Sequence, residues 1–221
     1  MFYKTRPIDL TDNYNILLNL DYQRHWEYLA DVNRFDISFD EKDNKIIWRG
    51  TSTGFIYSGD PPNIPRVNIV NKYQNHENKN IDIKFSHLCQ NVINNNYIFS
   101  NLSIKEQLQS KFLISIEGND VATNLKWILY SNSVVLMSKP TICSWLMEDK
   151  LISGIHYVEV KSDYSDLEEK YEWCLNNLEA CKKIAENGKK FIQQFLDKEN
   201  EKKITNKIIE IYCKTVKFEL E

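Results

Sequence analysis

Two clusters in this chain combine residue types suited to phosphate and sugar hydroxyls. In Trp48-Arg-Gly-Thr-Ser-Thr-Gly54 an arginine is followed by glycine and three hydroxyl residues. A guanidinium gives a phosphate paired charge-assisted bonds, and a glycine-bounded turn offers it backbone N–H groups. Arg49, Gly50, Thr51 and Ser52 are therefore candidate ligands. A plain loop whose arginine pairs with a carboxylate would carry the same residues. No Lys-Ser/Thr pair follows, so the segment is not a P-loop.

The second cluster is Glu117-Gly-Asn-Asp-Val-Ala-Thr-Asn-Leu-Lys126. Gly118 lets the backbone turn, and Asn119 or Asp120 can cap a following helix. Ala122 leaves room, and Thr123 and Asn124 supply donors. Carboxylates at Glu117 and Asp120 would repel a phosphate but suit ribose or sugar hydroxyls. Arg49 and Lys126 would then face a diphosphate. Ordinary helix capping accounts for the same residues without any ligand. His25 and His156 are weaker acid–base candidates, since His156 opens a strand. Trp145 and Glu148 could reach a base or ribose, although a core tryptophan is the default. Spacing assembles no Ser/His/Asp set and no distinct carboxylate pair.

The elements that hold these clusters are legible in outline. Lys111–Ile116 reads as a strand, Glu117–Asp120 as a turn, Val121–Leu129 as a helix and Ser133–Met137 as a second strand. That is a βαβ unit, whose ligands gather beyond the strand ends. Upstream, Lys45–Trp48 reads as a short buried strand and Gly59-Asp-Pro-Pro62 as a loop and helix start. Residues 66–73 then form a helical stripe, and Ile81–Phe85 alternates like a half-buried strand. Ser103-Ile-Lys-Glu106 fits a capping box. Downstream, the pattern predicts a short helix over Cys143–Asp149 and a strand over His156–Val160. A long helical region opens at Ser165, with Asn187-Gly188 as a kink or division. A last amphipathic helix covers about Glu199–Val216. Strands alternating with helices imply an α/β fold with a Rossmann-like parallel sheet and C-terminal helices packed on it.

Composition narrows the class. The 221 residues carry a net charge of −3 and are 42% hydrophobic and 12% aromatic, as in a globular protein. Lysine pairs lie beside glutamates in helical segments, which describes a solvated face and argues against a nucleic-acid partner. The five cysteines show no CxxC or CxxH spacing, so metal ligation has no support and buried thiols in a reducing, cytoplasmic setting are expected. No run approaches a transmembrane span of about 18 apolar residues. Peripheral membrane contact stays open.

In order and spacing, several stretches resemble glycosyltransferase family 90. That family includes Rumi-type protein O-glucosyltransferases, capsule-associated xylosyltransferases and bacterial lipopolysaccharide-modifying enzymes. The stretches are Lys4-Thr-Arg-Pro-Ile8, Leu17-Leu-Asn-Leu20 with Arg24-His25, Trp48-Arg-Gly50 and Lys111–Met137. His156-Tyr-Val-Glu-Val-Lys161 with Asp163 and Asp166-Leu-Glu-Glu-Lys170 complete the series. The opening resembles the bacterial branch most. The resemblance implies a GT-B architecture and metal-independent, inverting transfer from a nucleotide sugar, UDP-linked by expectation, with no cofactor. The acceptor would be a lipopolysaccharide-like glycan or a protein. Arg49 and its turn would lie on the donor diphosphate, and Gly118–Asn124 with Lys126 would cradle the nucleotide sugar. Residues 1–45 would be the remnant of an acceptor-side region and 46–221 the donor-binding domain with its C-terminal helices. Family members carry more chain before Lys4-Thr-Arg-Pro, including an aspartate base. A shortened acceptor part is therefore expected here, with no base assigned. The alternatives are a nucleotide-sugar-binding module without turnover, a half-enzyme completed by a partner chain, or an α/β interaction domain.

Overall fold

The computed structural model describes residues 1–9, 15–20, 26–54, 64–90 and 96–216. The elements run β1 (Phe2–Tyr3), β2 (Thr5–Pro7), β3 (Ile16–Leu17), α1 (Leu29–Phe35), β4 (Asp43–Thr51), α2 (Pro65–Tyr73) and β5 (Ile81–His87). They continue with α3 (Ile104–Gln107), β6 (Ser110–Ile114), α4 (Leu125–Tyr130), β7 (Val134–Met137), β8 (Ile142–Ser144) and β9 (Val158–Glu159). Three helices end the series: α5 (Leu167–Asn176), α6 (Leu178–Gln193) and α7 (Lys198–Thr215). His25 and the Gly59–Pro62 helix-start signal lie outside the described residues.

Five strands form one sheet in the order β5-β4-β6-β7-β9, and every pairing in it is parallel. Parallel strands covered on both faces read as unbroken apolar runs, and β6 and β7 are buried throughout. Alternation sends Trp48, Phe112, Ile114 and Leu136 to one face, where α2 and α5 pack. Ile47, Leu113, Val135 and Met137 go to the other, under α1 and α4. Helix α6 gives Cys181 and Ile184 to the first layer and Ile192 to the second, bridging the two. Trp26, Leu29 and Val32 from the N-terminal region belong to the second layer as well.

The strand order fixes where a ligand can enter. β4 precedes both of its neighbours in sequence, so the chain leaves it toward β5 and later returns to its other side as β6. The loops after β4 and β6 therefore diverge, and a crevice opens between them at the carboxyl ends of the strands.

Four local expectations are corrected. Residues 143–149 do not form a helix: β8 pairs antiparallel with β2, Thr5 opposite Ser144, and a short 3-10 turn follows at Glu148–Lys150. A distant strand captured those residues, which no local pattern could announce. The helix expected from Val121 starts only at Leu125. Asn124 ties back to the Ile114 carbonyl at 3.0 Å and Gly118 N–H donates to the Asp120 carbonyl, so residues 117–124 close into an irregular loop. The long C-terminal helical region divides at Asn177, not at Gly188. Gly188 is buried inside α6, where a Cβ would meet Leu129 Cδ2 at 3.0 Å and the His156 carbonyl oxygen at 3.3 Å. It is a contact glycine. The last strand shortens to Val158–Glu159.

Candidate functional site

The crevice holds a cavity of about 270 Å³ whose walls include Thr51, Thr53, Arg66, Gly118, Asn119, Asp120 and Thr123. Its two sides are joined directly. Gly54 N–H donates to Asn119 Oδ1 at 3.0 Å, and Thr51 and Thr53 share a hydroxyl contact at 3.2 Å. Gly54 sits at φ +125°, a region open to glycine and costly for other residues.

The walls carry the charged residues Arg49 and Asp120 and, from the start of a helix, Arg66. It is the second residue of α2, which opens with Pro65 at its first turn. Its Nε and Nη2 donate to the Ile116 carbonyl at 3.2 and 2.7 Å, and Nη1 donates to Thr53 Oγ1 at 2.7 Å and the Thr51 carbonyl at 3.3 Å. All of these acceptors are neutral, and the guanidinium lies over the Trp48 ring at 5.9 Å. Among the described residues no carboxylate lies within ion-pair distance of it. Burial lowers its pKa to about 10, so it keeps its charge at neutral pH. The result is a desolvated cation, held by neutral acceptors, with no carboxylate in direct contact among the described residues, a state that an entering anion would stabilise.

Arg49 lines the same cavity as Gly118, but its guanidinium is bonded differently. Its Nη2 reaches Asp82 Oδ2 at 2.5 Å, and its Nη1 donates to the Asp82 and Trp48 carbonyls at 2.8 Å. The parallel register places Arg49 beside Lys84 on β5, within reach of that carboxylate. Asp82 also pairs with Lys84 at 2.7 Å. Burial raises the Asp82 pKa, but bonds from Arg49 and Lys84 outweigh it and hold the carboxyl below its ordinary range. The Arg49 charge is thus already matched inside the sheet.

The remaining expected residues divide by geometry. Gly50, Thr51, Gly118, Asn119, Asp120, Thr123 and Asn124 are brought to the cavity wall, as is Arg49. A Cβ on Gly118 would lie 2.9 Å from Thr53 Oγ1 and 3.0 Å from Arg66 Nη2, so this glycine permits the close approach of the two loops. Gly50 serves packing: a Cβ there would meet the Trp48 ring at 2.5 Å. Ser52 Oγ is tied to the Cys89 carbonyl and N–H at 2.8 and 2.7 Å and is turned away from the cavity. Glu117 accepts from Thr141 N, Thr141 Oγ1 and Ile142 N, so it anchors the turn into β8 and its carboxylate is occupied. Ala122 is buried under the second layer. Lys126 is buried on that same side, 5.5 Å above the Trp26 ring and near Ser144 Oγ at 3.5 Å. Glu148 is bonded to Ser144 N and Oγ, and Trp145 Nε1 donates to Glu201. His156 is structural: its Nδ1 accepts from Ile152 N at 2.9 Å and its ring packs on Phe191.

Sequence reasoning passed over Arg66. A usable signal was present, because a cation in the first turn of a helix opposes the macrodipole and acidic residues are the norm there. Thr53 was quoted in the first cluster but not singled out. Lys4, which pairs with Asp120 at 2.5 Å, was not expected at the site.

The structure is a parallel α/β sheet with a polar crevice at its switch point, walled in part by Arg66. The profile of Glycosyl transferase family 90 matches residues 25–221, and the chain belongs to that family. It is 32% identical over 200 residues to O-glucosyltransferase LpsA of Dichelobacter nodosus, a match covering 90% of this chain and 58% of the relative. It is also 30% identical over 99 residues to Protein O-glucosyltransferase 2 of Danio rerio, covering 45% of this chain and 20% of that protein. Uncharacterized protein 179R of Invertebrate iridescent virus 6 is 38% identical over 107 residues, 46% of this chain and 9% of the viral protein. The chain thus spans little more than half the length of LpsA.

Proposed function

We propose that this chain binds the diphosphate of a nucleotide sugar, UDP-linked by preference, between β4 and β6 and takes part in sugar transfer to a glycan or protein acceptor. The observation that carries this reading is Arg66, a charged guanidinium held by neutral acceptors at the mouth of the crevice. In an inverting transfer, an acceptor hydroxyl loses its proton to a base and attacks the anomeric carbon. The carbon–oxygen bond to the diphosphate breaks, and negative charge grows on the leaving group. Arg66, already fixed in place, stabilises that charge without needing a metal ion. Thr53, Asn119 and Thr123 offer polar contacts to the sugar or ribose, and Asp120 offers a hydroxyl acceptor from the opposite wall. The bacterial relative is named an O-glucosyltransferase, which supports a reading of sugar transfer to a hydroxyl. No helix among the described residues is long and apolar enough to cross a membrane.

The test is a melting-temperature screen against UDP-, GDP- and other nucleotide sugars, because ligands of the native state raise it. Stabilisation by a nucleotide sugar that is lost in Arg66→Gln supports the reading. No response to any nucleotide sugar sinks it.

The match covers 58% of LpsA, so a second reading is a donor-binding part that works with acceptor-side residues supplied by a longer protein or a partner chain. Donor binding without hydrolysis or transfer, restored by adding an acceptor-side lobe, would favour it over a self-sufficient enzyme.

A further inference from the structure

On the opposite side of the 118–124 loop from Arg66, a second cationic feature is left unused by the donor site. Arg66 lies over Trp48 in the first layer, whereas Lys126 lies over Trp26 in the second. Lys126 is 2% exposed, yet among the described residues no carboxylate comes within ion-pair distance of it. Its hydrogen bond to Ser144 Oγ is long, at 3.5 Å. Glu148, the carboxylate nearest in charge terms, is occupied by Ser144 N and Oγ at 2.6 and 2.7 Å. Lys4 stands on the same cleft and turns its ammonium to Asp120, the wall shared with the donor cavity. Lys4, Asn19, Trp26, Ser144 and Lys126 enclose about 10 Å³, room for roughly one oxygen-sized group. Two lysines thus line a cleft for which Asp120 is the single directly paired carboxylate among the described residues.

We propose that this cleft receives one anionic oxygen of the sugar acceptor, from a phosphate or carboxylate carried near the hydroxyl that is glycosylated. The Lys126 ammonium reaches Glu148 only through Ser144 Oγ, and a direct charge-assisted bond to an entering anion would offset more of the cost of burying it. Burial lowers the pKa of Lys126, with Glu148 and Asp120 acting against it. On the proposed reading the donor diphosphate sits with Arg66 on the other side of the loop, so an anion here belongs to the second substrate. The assignment to an acceptor rests on the proposed donor reading, and the Lys4–Asp120 pair is the partition between the two ligands.

The 221-residue chain is titrated with glucose 6-phosphate, glucuronate and glucose, with melting temperature and calorimetry as readouts. At least one of the two anionic sugars binds and glucose does not; Arg66→Gln leaves that binding intact and Lys126→Met weakens it at least tenfold. Should Lys126→Met fail to fold, Lys4→Met is expected to weaken the same binding at least fivefold. The proposal is overturned if neither anionic sugar binds, if glucose binds equally well, if the lysine variants change nothing, or if Arg66→Gln abolishes the response. UDP titration of the wild type, run separately, tests the donor reading, so the two failures are told apart.

Discussion

Asn119 Oδ1 accepts the backbone N–H of Gly54 at 3.0 Å, and this one bond couples the loop after β4 to the loop after β6. Neither loop has regular structure to fix its position, so the side-chain bond helps set the width of the crevice. Asn119→Ala should lower stability by about 1 kcal/mol, a typical net value for one hydrogen bond. Donor affinity should fall about fivefold as the walls loosen, which calorimetry with UDP would read. An unchanged affinity would remove Asn119 from the coupling.

The two arginines should separate cleanly. Arg66→Gln is expected to reduce transfer on the order of 100-fold or more, as for loss of a transition-state donor, with a modest change in melting temperature. Arg49→Ala strips a partner from a partly buried carboxylate and should cost roughly 1–3 kcal/mol of stability. Its donor affinity should stay near wild type once folded protein is compared. Equal loss of affinity in both variants would mean that Arg49 turns toward the ligand after all.

Gly118→Ala tests the close approach itself. The added methyl would press on Thr53 Oγ1 and on the Arg66 guanidinium, at 2.9 and 3.0 Å. Displacing a prearranged charge by even a fraction of an ångström weakens the electrostatic contact, so donor affinity should drop tenfold or more, by at least about 1.4 kcal/mol. A structure of the variant with Arg66 unmoved and full affinity would contradict the assignment.

Two titrations should shape stability against pH, with different windows. Burial lowers the His156 pKa, and its Nδ1 accepts a hydrogen bond only when that nitrogen is unprotonated. The unfolded chain then binds the proton more readily, so stability declines as pH falls below the unfolded value of about 6.5. His156→Gln should flatten that limb in denaturant titrations. The Asp82 carboxyl is held low by Arg49 and Lys84 against the opposing effect of burial. Its contribution is present above the unfolded value of about 3.9 and lost as pH falls through the lower folded one. Asp82→Asn should be less stable at neutral pH, with a shallower acid limb; identical limbs would argue against the ion pair.

Gly188 offers a packing test away from the site. Valine there would drive branched carbons into Leu129 and the His156 carbonyl, costing about 1–3 kcal/mol through overpacking. Denaturant midpoints would show it. A neutral valine would mean that α6 can shift outward freely.

Much of the sheet could be read along the chain because its strands are buried on both faces. Lys111–Ile116 and Ser133–Met137 contain runs too apolar to lie at a surface, and they became β6 and β7. The Ser103–Glu106 capping box is present with both of its bonds, since capping is a local matter of four residues. The division at Asn177 and the β2–β8 pairing were not legible. One turns on the packing of Gly188, and the other joins residues about 140 positions apart.

Residue chemistry alone pointed to a parallel α/β body and two polar loops at strand ends, because periodicity and local composition record burial and turn formation, while the order and spacing of several stretches added a resemblance to a sugar-transferring family. It could not say which cation stands free. Arg49 and Arg66 both border the crevice, and their difference comes from Asp82, which lies across a strand pairing from Arg49 and out of reach of Arg66. Charge compensation is a matter of through-space distance, and only the folded chain sets that distance.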